Sequence, residues 1–231
     1  MVLDVQTVSL IGEMKLSDFE MIKIIGRGTY GMVYLVKCLK NGKLYAMKIV
    51  KKRQLRDEEV LEYTISERDI MRLKHPFIVY LHYAFQRSEK LYFIMNYCEG
   101  KELYEHLFEY DSSFAKKRVL FSEEKARFYA AELICALQHL HDNKIIYRDI
   151  KPENIFLQGD GHIQLGDFGL SKILKNKSDK ASTICGSPEF IAPEIIAGKK
   201  YTNLVDNWGL GLLIYELVAD KNPHRNDLPQ H

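Results

Sequence analysis

The most informative motif of this chain is Tyr147-Arg148-Asp149-Ile150-Lys151-Pro152-Glu153-Asn154, which we call the decisive stretch. It is followed by Asp167-Phe168-Gly169 and Ala192-Pro193-Glu194. Considered alone, an aspartate or a lysine in such a run is usually a solvated surface charge. The three motifs together are a far stronger signal, because chance rarely places them in this order. The stretch therefore predicts a functional site built from charged side chains. Motifs elsewhere in the chain indicate which kind of site it is.

A glycine-rich motif lies near the other end of the chain. Gly26-Arg27-Gly28-Thr29-Tyr30-Gly31 follows a β-rich run over residues 19–25, and glycines let backbone amides approach phosphate oxygens without a Cβ in the way. Dinucleotide-binding folds share this spacing but need a helix directly afterwards, whereas residues 32–36 continue as a β-rich run. By itself the motif is compatible with a plain turn. Lys48 follows on the next β-rich run, and Glu67 falls on a helix-like segment from which it can pair with Lys48.

Hydrophobic periodicity divides the chain into two regions. Residues 19–95 contain short β-rich runs and one charged, helix-like segment, whereas apolar residues recur at helical spacing over residues 123–141 and 206–219. The change near residues 95–100 indicates a boundary between a small α+β lobe and a helical lobe, a kind of junction where ligand clefts are common. The predicted strands are 19–25, 32–37, 44–50, 79–85 and 91–95, the first helix lies within 51–74, Asn41-Gly42 forms a hairpin turn, and 108–120 is a solvated loop.

Composition excludes several classes of protein. The 231 residues include 33 Lys or Arg and 31 Asp or Glu, and this formal net charge of +2 argues against a nucleic-acid-binding arm. Four widely spaced cysteines fit neither a zinc knuckle nor a disulfide framework. No apolar stretch reaches the roughly 18 residues that span a bilayer, and no signal peptide is recognised. We therefore expect a cytoplasmic or nuclear protein without a transmembrane segment. The sequence does not predict its oligomeric state.

The ordered motifs resemble the signature of the eukaryotic protein kinases over residues 19–219. Within that family the chain is similar to the AGC group of serine/threonine kinases, because Tyr147 precedes Arg148-Asp149 and because Thr183-Ile184-Cys185-Gly186-Ser187-Pro188-Glu189-Phe190 matches the wording of that group. The resemblance implies an α+β, bilobal fold with a small antiparallel β-sheet lobe carrying one helix, and a mainly α-helical lobe that lacks its last helices. It implies an N-terminal extension at 1–18 and a kinase domain at 19–231, made of a first lobe at 19–95, a hinge at 96–100 and an incomplete second lobe at 101–231.

The same resemblance implies ATP-dependent phosphorylation of serine or threonine hydroxyls, with ATP and Mg²⁺ as cofactors. Asp149 would accept or orient the proton of the substrate hydroxyl, and Lys151 would neutralise charge on the moving phosphoryl group. Ser187 would hold these two residues in place. Lys48, paired with Glu67, would contact the α- and β-phosphates.

The predicted nucleotide site draws on both regions. Asn154 and Asp167 would bind Mg²⁺, because the metal prefers hard oxygen ligands when it also takes phosphate oxygens. An apolar residue on a strand more often belongs to the ordinary core than to a ligand contact, so the aliphatic residues are the weaker candidates in the predicted ATP site. The residues implied to bind ATP are Ile25, Gly26, Arg27, Gly28, Thr29, Tyr30, Gly31, Met32, Val33, Ala46, Lys48, Glu67, Met95, Asn96, Cys98, Glu102 and Phe156.

Regulation and substrate choice also follow from the resemblance. Thr183 is the implied phosphorylation site for an upstream activating kinase, with Arg148 and Lys172 at the positions of the cations that would receive the phosphate.

Three acidic positions, Glu102, Glu153 and Glu216, match those that receive arginines in relatives, with Ser187 nearby, and they predict protein substrates with basic residues before the phosphorylated one. Two alternatives stay open because few residues follow the helix at 206–219. They are a nucleotide-binding, catalytically weak interaction module and a kinase fragment.

Overall fold

A computed structural model of the chain describes residues 14–28, 31–110, 116–176, 178–219 and Pro223. The chain divides into two units, of which the first comprises Met1–Lys74 and Val79–Tyr97 and the second comprises His75–Ile78 and Cys98–His231. The lobe and hinge bounds drawn from the sequence stay a prediction. Within the described ranges, none of the helices combines the length and the apolar character that crossing a bilayer requires.

The first unit is built, among its described residues, on a five-stranded antiparallel sheet. Its central strands are buried on both faces, which explains why the strand over residues 91–95 reads as a continuous apolar run. One helix follows the third strand and begins at Asp57, whose carboxylate accepts hydrogen bonds from the backbone amides of Glu59 and Val60. The elements are β1 (Phe19–Gly28), β2 (Gly31–Cys38), β3 (Leu44–Lys51), α1 (Glu58–Ile70), β4 (Leu81–Gln86) and β5 (Lys90–Asn96), and the strand order is β1-β2-β3-β5-β4.

The predicted turn between β2 and β3 is confirmed. Gly42 adopts a φ of 70°, a left-handed conformation that favours glycine, and its amide donates to the Cys38 carbonyl at 2.8 Å. The Asn41 side-chain oxygen accepts from the Lys43 amide at 3.0 Å and closes the turn. Local turn chemistry therefore sets the register of this hairpin.

The second unit is mainly helical in its longest elements. Its first long helix begins at Ser122, whose hydroxyl accepts from the Lys125 amide, and its apolar face packs on the last long helix. Both long helices were predicted, and the predicted fold class is confirmed. The elements are β6 (Phe108–Tyr110), β7 (Lys116–Arg118), α2 (Glu123–Asp142), β8 (Ile145–Ile146), β9 (Ile155–Leu157), β10 (Ile163–Leu165), β11 (Lys172–Ile173), α3 (Pro193–Ile196) and α4 (Leu204–Val218), with the pairs β6-β7, β8-β11 and β9-β10.

The prediction of a solvated loop over residues 108–120 is wrong at both ends of that segment. Strands β6 and β7 pair as an antiparallel hairpin, with Phe108 opposite Arg118. The Arg118 side chain is only 12% exposed, because it meets a partner on α4 that is 98 positions away in the sequence. Residues 111–115 lie outside the described ranges.

Candidate active site

The decisive stretch connects β8 to β9, and a buried aspartate of α4 holds its backbone. The Asp206 carboxylate accepts from the Tyr147 amide at 2.9 Å and from the Arg148 amide at 2.8 Å, and its Oδ2 also lies 2.7 Å from His141 Nε2. Asp206 is 1% exposed, so these donors are what make its burial tolerable. Arg148 itself adopts a φ of 72°. Asp206 was missed from the sequence, although an aspartate in the first turn of an apolar helix was a usable signal.

Three of the predicted catalytic and supporting residues converge on the Asp149 carboxylate, which is buried. Its Oδ1 accepts from the Ser187 amide at 3.1 Å and from the Ser187 hydroxyl at 2.7 Å. Its Oδ2 accepts from Asn154 Nδ2 at 2.7 Å and lies 3.0 Å from Lys151 Nζ. Lys151 Nζ also donates to the Ser187 hydroxyl at 3.0 Å. The carboxylate is therefore held in one orientation beside a fixed positive charge.

Asn154 and Asp167 have the donor atoms that a magnesium ion requires. The Asn154 amide nitrogen donates to the carbonyl and to the carboxylate of Asp149, at 2.8 and 2.7 Å, which leaves the amide oxygen as an acceptor. Asp167 is exposed, with a φ of 49°, and the Gly169 amide donates to its Oδ1 at 3.3 Å. The described residues hold no group of three or more His, Cys, Asp or Glu side chains placed to bind a metal ion.

In the first unit, the predicted lysine–glutamate pair is formed. Lys48 Nζ on β3 lies 2.6 Å from Glu67 Oε1 and 2.7 Å from Oε2 on α1, and the two side chains are 14% and 8% exposed. Gly31 begins β2 where an added Cβ would lie 2.1 Å from the Ile49 carbonyl oxygen, so this position accepts only glycine. Thr29 and Tyr30, both predicted to bind ATP, lie outside the described residues.

The remaining predicted nucleotide residues fall on defined elements of each unit. In the first unit, Ala46 pairs with Met95 across β3 and β5, and both are buried. In the second unit, Glu102 forms an isolated antiparallel bridge with Phe156. Burial raises the pKa of the Cys98 thiol to about 12, and its Sγ donates to Gln164 Oε1 at 3.4 Å. The other predicted members are Ile25, Gly26, Arg27 and Gly28 on β1, Met32 and Val33 on β2, and Asn96 at the end of β5.

The predicted phosphorylation site is linked to the decisive stretch through a tyrosine that the sequence did not indicate. Thr183 is exposed, and its carbonyl accepts from the Tyr201 hydroxyl at 2.6 Å. The same hydroxyl accepts from Arg148 Nη1 at 3.0 Å, and Arg148 Nε donates to the Leu170 carbonyl at 2.6 Å. Arg148 therefore reaches Thr183 through Tyr201, while Lys172 lies on β11.

The three carboxylates predicted to recognise substrate lie near one another. Burial raises the pKa of Glu102, and the neighbouring carboxylate of Glu153 raises that pKa further. Burial likewise raises the pKa of Glu216, a rise that the Arg118 guanidinium partly offsets and that Glu153 and Glu189 increase. Among the described residues, the buried Oε2 atoms of Glu153 and Glu216 have no hydrogen-bond donor. We call Glu102, Glu153 and Glu216 the acidic cluster.

Comparison with known proteins defines the class to which this geometry belongs. The sequence pattern of the family described as "Protein kinase domain" matches residues 19–231. The chain therefore belongs to the protein kinase domain family.

Relatives narrow the class. The chain is 44% identical over 209 residues to the serine/threonine-protein kinase sgk-1 of Caenorhabditis elegans, an alignment that covers 90% of this chain and 43% of that protein. It is 42% identical over 219 residues to the serine/threonine-protein kinase YPK1 of Saccharomyces cerevisiae, covering 94% of this chain and 31% of that protein. A RAC family serine/threonine-protein kinase homolog of Dictyostelium discoideum is 42% identical over 212 residues, an alignment that covers 91% of this chain and 46% of that protein. The predicted similarity to AGC-type serine/threonine kinases is confirmed, and the chain spans less than half the length of each of these relatives.

Proposed function

We propose that this chain transfers the γ-phosphoryl group of ATP to serine or threonine hydroxyls of proteins. The observation that carries the proposal is the environment of Asp149, whose two carboxylate oxygens are held by Ser187 on one side and by Asn154 and Lys151 on the other. Phosphoryl transfer needs little covalent chemistry from a protein, so an oriented base beside an oriented cation is the machinery that it requires.

The residues around Asp149 have distinct tasks in this proposal. Asp149 orients the substrate hydroxyl and accepts its proton, because its carboxylate is fixed by three neighbours. Lys151 places positive charge where negative charge develops during transfer, and Ser187 keeps both side chains in position. Bound Mg–ATP supplies the transferable group, and its metal neutralises phosphate charge.

Each unit has its own residues with a task in nucleotide binding. In the second unit, the amide oxygen of Asn154 and the carboxylate of Asp167 are the atoms that would hold Mg²⁺. In the first unit, Glu67 keeps Lys48 ordered as a phosphate ligand. Gly26 on β1 and Gly31 on β2 have no Cβ that would keep phosphate oxygens away from their backbone amides.

Substrates of this kinase would carry Arg or Lys before the phosphorylated residue. The acidic cluster supports this preference, because the buried carboxylate oxygen of Glu153 lacks a donor among the described residues and a guanidinium supplies several. Phosphorylation of an oriented peptide library measures the preference. A profile without enrichment of Arg or Lys on the amino-terminal side contradicts it.

An upstream kinase would activate the chain at Thr183. This residue is exposed to a modifying enzyme, and its carbonyl is already linked through the Tyr201 hydroxyl to the Arg148 side chain, so added phosphate would act on Arg148. The test compares turnover of the chain phosphorylated at Thr183 with turnover of Thr183→Ala. Equal turnover of the two removes this proposal.

We also propose that the protein works in a reducing compartment, the cytoplasm or the nucleus. Its four cysteines, Cys38, Cys98, Cys135 and Cys185, are free thiols in the structure. Fluorescence imaging of the tagged protein in its own cells checks the location, and recovery from the secretory pathway contradicts it.

The central experiment measures transfer of labelled phosphate from Mg–ATP to an arginine-rich serine peptide. Transfer by the wild-type chain should fall by about a thousandfold in Asp149→Asn and stay unchanged in Asp160→Asn, a matched change in an exposed turn. A thermal-shift titration with Mg–ATP runs beside it. Stabilisation by Mg–ATP without phosphate transfer supports a nucleotide-binding module instead. The absence of both stabilisation and transfer indicates a fragment without independent function.

A further inference from the structure

An internal arginine meets one member of the acidic cluster. Arg118 Nη2 on β7 donates to Glu216 Oε1 at 3.1 Å and to the Glu216 carbonyl at 2.9 Å. The two side chains are 12% and 6% exposed, so the pair is almost dry. The carbonyl lies in the last turn of α4, where unpaired helix carbonyls attract a cation.

The backbone that follows Arg118 is fixed at two points, one of which lies on the same end of α4. The Val119 amide donates to the Leu107 carbonyl at 2.8 Å, and the Phe121 amide donates to the Leu217 carbonyl at 2.8 Å. The Arg118 guanidinium also lies over the Phe108 ring, 5.8 Å from its centroid. The contact with Glu216 is therefore built by the fold of the β6-β7 hairpin and is not a chance surface pairing.

Glu216 lies in strongly negative surroundings. Its Oε2 atom is buried and has no donor among the described residues, and the carboxylates of Glu153 and Glu189 act on it from two other turns. A buried carboxylate in such a place is stabilised most by a guanidinium, and Arg118 already supplies one.

We propose that Arg118 is a specificity-determining residue, because it occupies in cis the place at which Glu216 would receive an arginine of the substrate. This inference rests on the proposed phosphorylation of basic sites. A substrate arginine can reach Glu216 only by displacing Arg118, and the exchange of one guanidinium for another brings little net affinity. The chain therefore selects arginine at the subsite of Glu102 and Glu153 and is nearly indifferent to arginine at the subsite of Glu216.

Binding of peptides that cannot be phosphorylated tests the inference without relying on turnover. Labelled peptides with alanine in place of the acceptor serine carry either arginine or its neutral isostere citrulline at each upstream position, and anisotropy gives their Kd values. In the wild-type chain, one upstream position should show an arginine-to-citrulline affinity ratio near one. Arg118→Ala should raise that ratio about tenfold, because the substrate guanidinium then satisfies an otherwise unpaired buried carboxylate.

Three further variants separate this role from a structural one. Arg118→Met keeps the aliphatic packing and should also raise the ratio, whereas Arg118→Lys keeps the charge and should leave the ratio low. The gain in Arg118→Met should disappear in the double variant Arg118→Met/Glu216→Gln, which places the effect on Glu216. Arg118→Met also serves if Arg118→Ala does not fold.

Two results overturn the inference, and they differ in what else they reject. If arginine is preferred at other upstream positions but no position changes in Arg118→Ala or Arg118→Met, Arg118 has no part in specificity and the proposed function stands. If no variant distinguishes arginine from citrulline at any position, the basic-site preference itself fails.

Discussion

Two regions of the second unit use buried carboxylates in opposite ways. At Asp149 both oxygens are engaged, by the Ser187 amide and hydroxyl and by the Asn154 amide and the Lys151 ammonium. In the acidic cluster, the buried Oε2 atoms of Glu153 and Glu216 have no donor among the described residues. A carboxylate with donors on both oxygens, a closed network, is fixed in one geometry. A buried oxygen without a donor, an open acceptor, is still able to bind a cation.

The energetic contrast explains why both arrangements occur in one unit. A buried acceptor without a hydrogen-bond partner lowers the free energy of unfolding by about 1 to 3 kcal/mol. A fold is therefore expected to retain such an acceptor where a donor binds to it later. The network at Asp149 carries no such cost, and it suits a group whose position decides the rate. The first three predictions below open the closed network or change the charge of the acidic cluster, and the fourth concerns an ion pair outside both regions.

The largest effect is expected from loosening the backbone beneath the closed network. In Asp206→Asn, one of the two carboxylate oxygens becomes an NH2 group, which would face either the Tyr147 amide or the Arg148 amide, each of which is itself a donor. We expect kcat to fall about a hundredfold, because the decisive stretch shifts as a unit. Steady-state transfer and the melting temperature are measured together. Wild-type kcat in a folded Asp206→Asn would show that Asp206 does not position this stretch.

A smaller loss is expected when one member of the network is removed. Ser187→Ala deletes the hydroxyl that donates to Asp149 and accepts from Lys151, and kcat should fall about tenfold while the KM for ATP stays near the wild-type value. Ser187→Thr keeps the hydroxyl and is the matched control. Equal kcat values for the alanine and threonine variants would exclude the positioning role.

The open cluster should lose its charge at a higher pH than ordinary glutamates do. Burial raises the pKa of Glu102 above the ordinary value of 4.5, and the neighbouring Glu153 carboxylate raises it further, so Glu102 protonates earlier as the pH falls. Because only the ionised carboxylate attracts a guanidinium, the preference for arginine over citrulline peptides should decline at pH values still above 4.5. A preference that is constant down to that pH would contradict the prediction.

The smallest effect concerns an ion pair outside both regions. His162 Nδ1 lies 2.5 Å from Glu132 Oε1, and this hydrogen bond raises the pKa of His162 above its ordinary 6.5. The folded state then holds the proton more tightly than the unfolded chain does, so the pair stabilises fully below pH 6.5 and loses this contribution as the pH rises through the raised value. Melting temperatures should show this decline in the wild-type chain and not in His162→Gln. The same decline in both proteins would assign it to another group.

Much of the fold was predictable, because periodicity and turn chemistry are local properties. The Asn41-Gly42 turn needed only a residue that tolerates a left-handed φ, and the helix at 206–219 needed only a long apolar run. The loop predicted at 108–120 failed for the opposite reason. Its short strands β6 and β7 carry charged and aromatic residues without clear alternation, and contacts with α4 decide their conformation.

Sequence motifs alone identified the class of protein and predicted the members of the active site, because Asp149, Lys151, Asn154 and Asp167 stand in motifs that follow one another in a recognisable order. Only the tertiary structure decided which neighbours control them. Asp206 lies 58 positions from Arg148, and Arg118 lies 98 positions from Glu216. Neither pairing has a local pattern, because a buried charge is matched by whichever donor the folded chain brings within hydrogen-bonding distance.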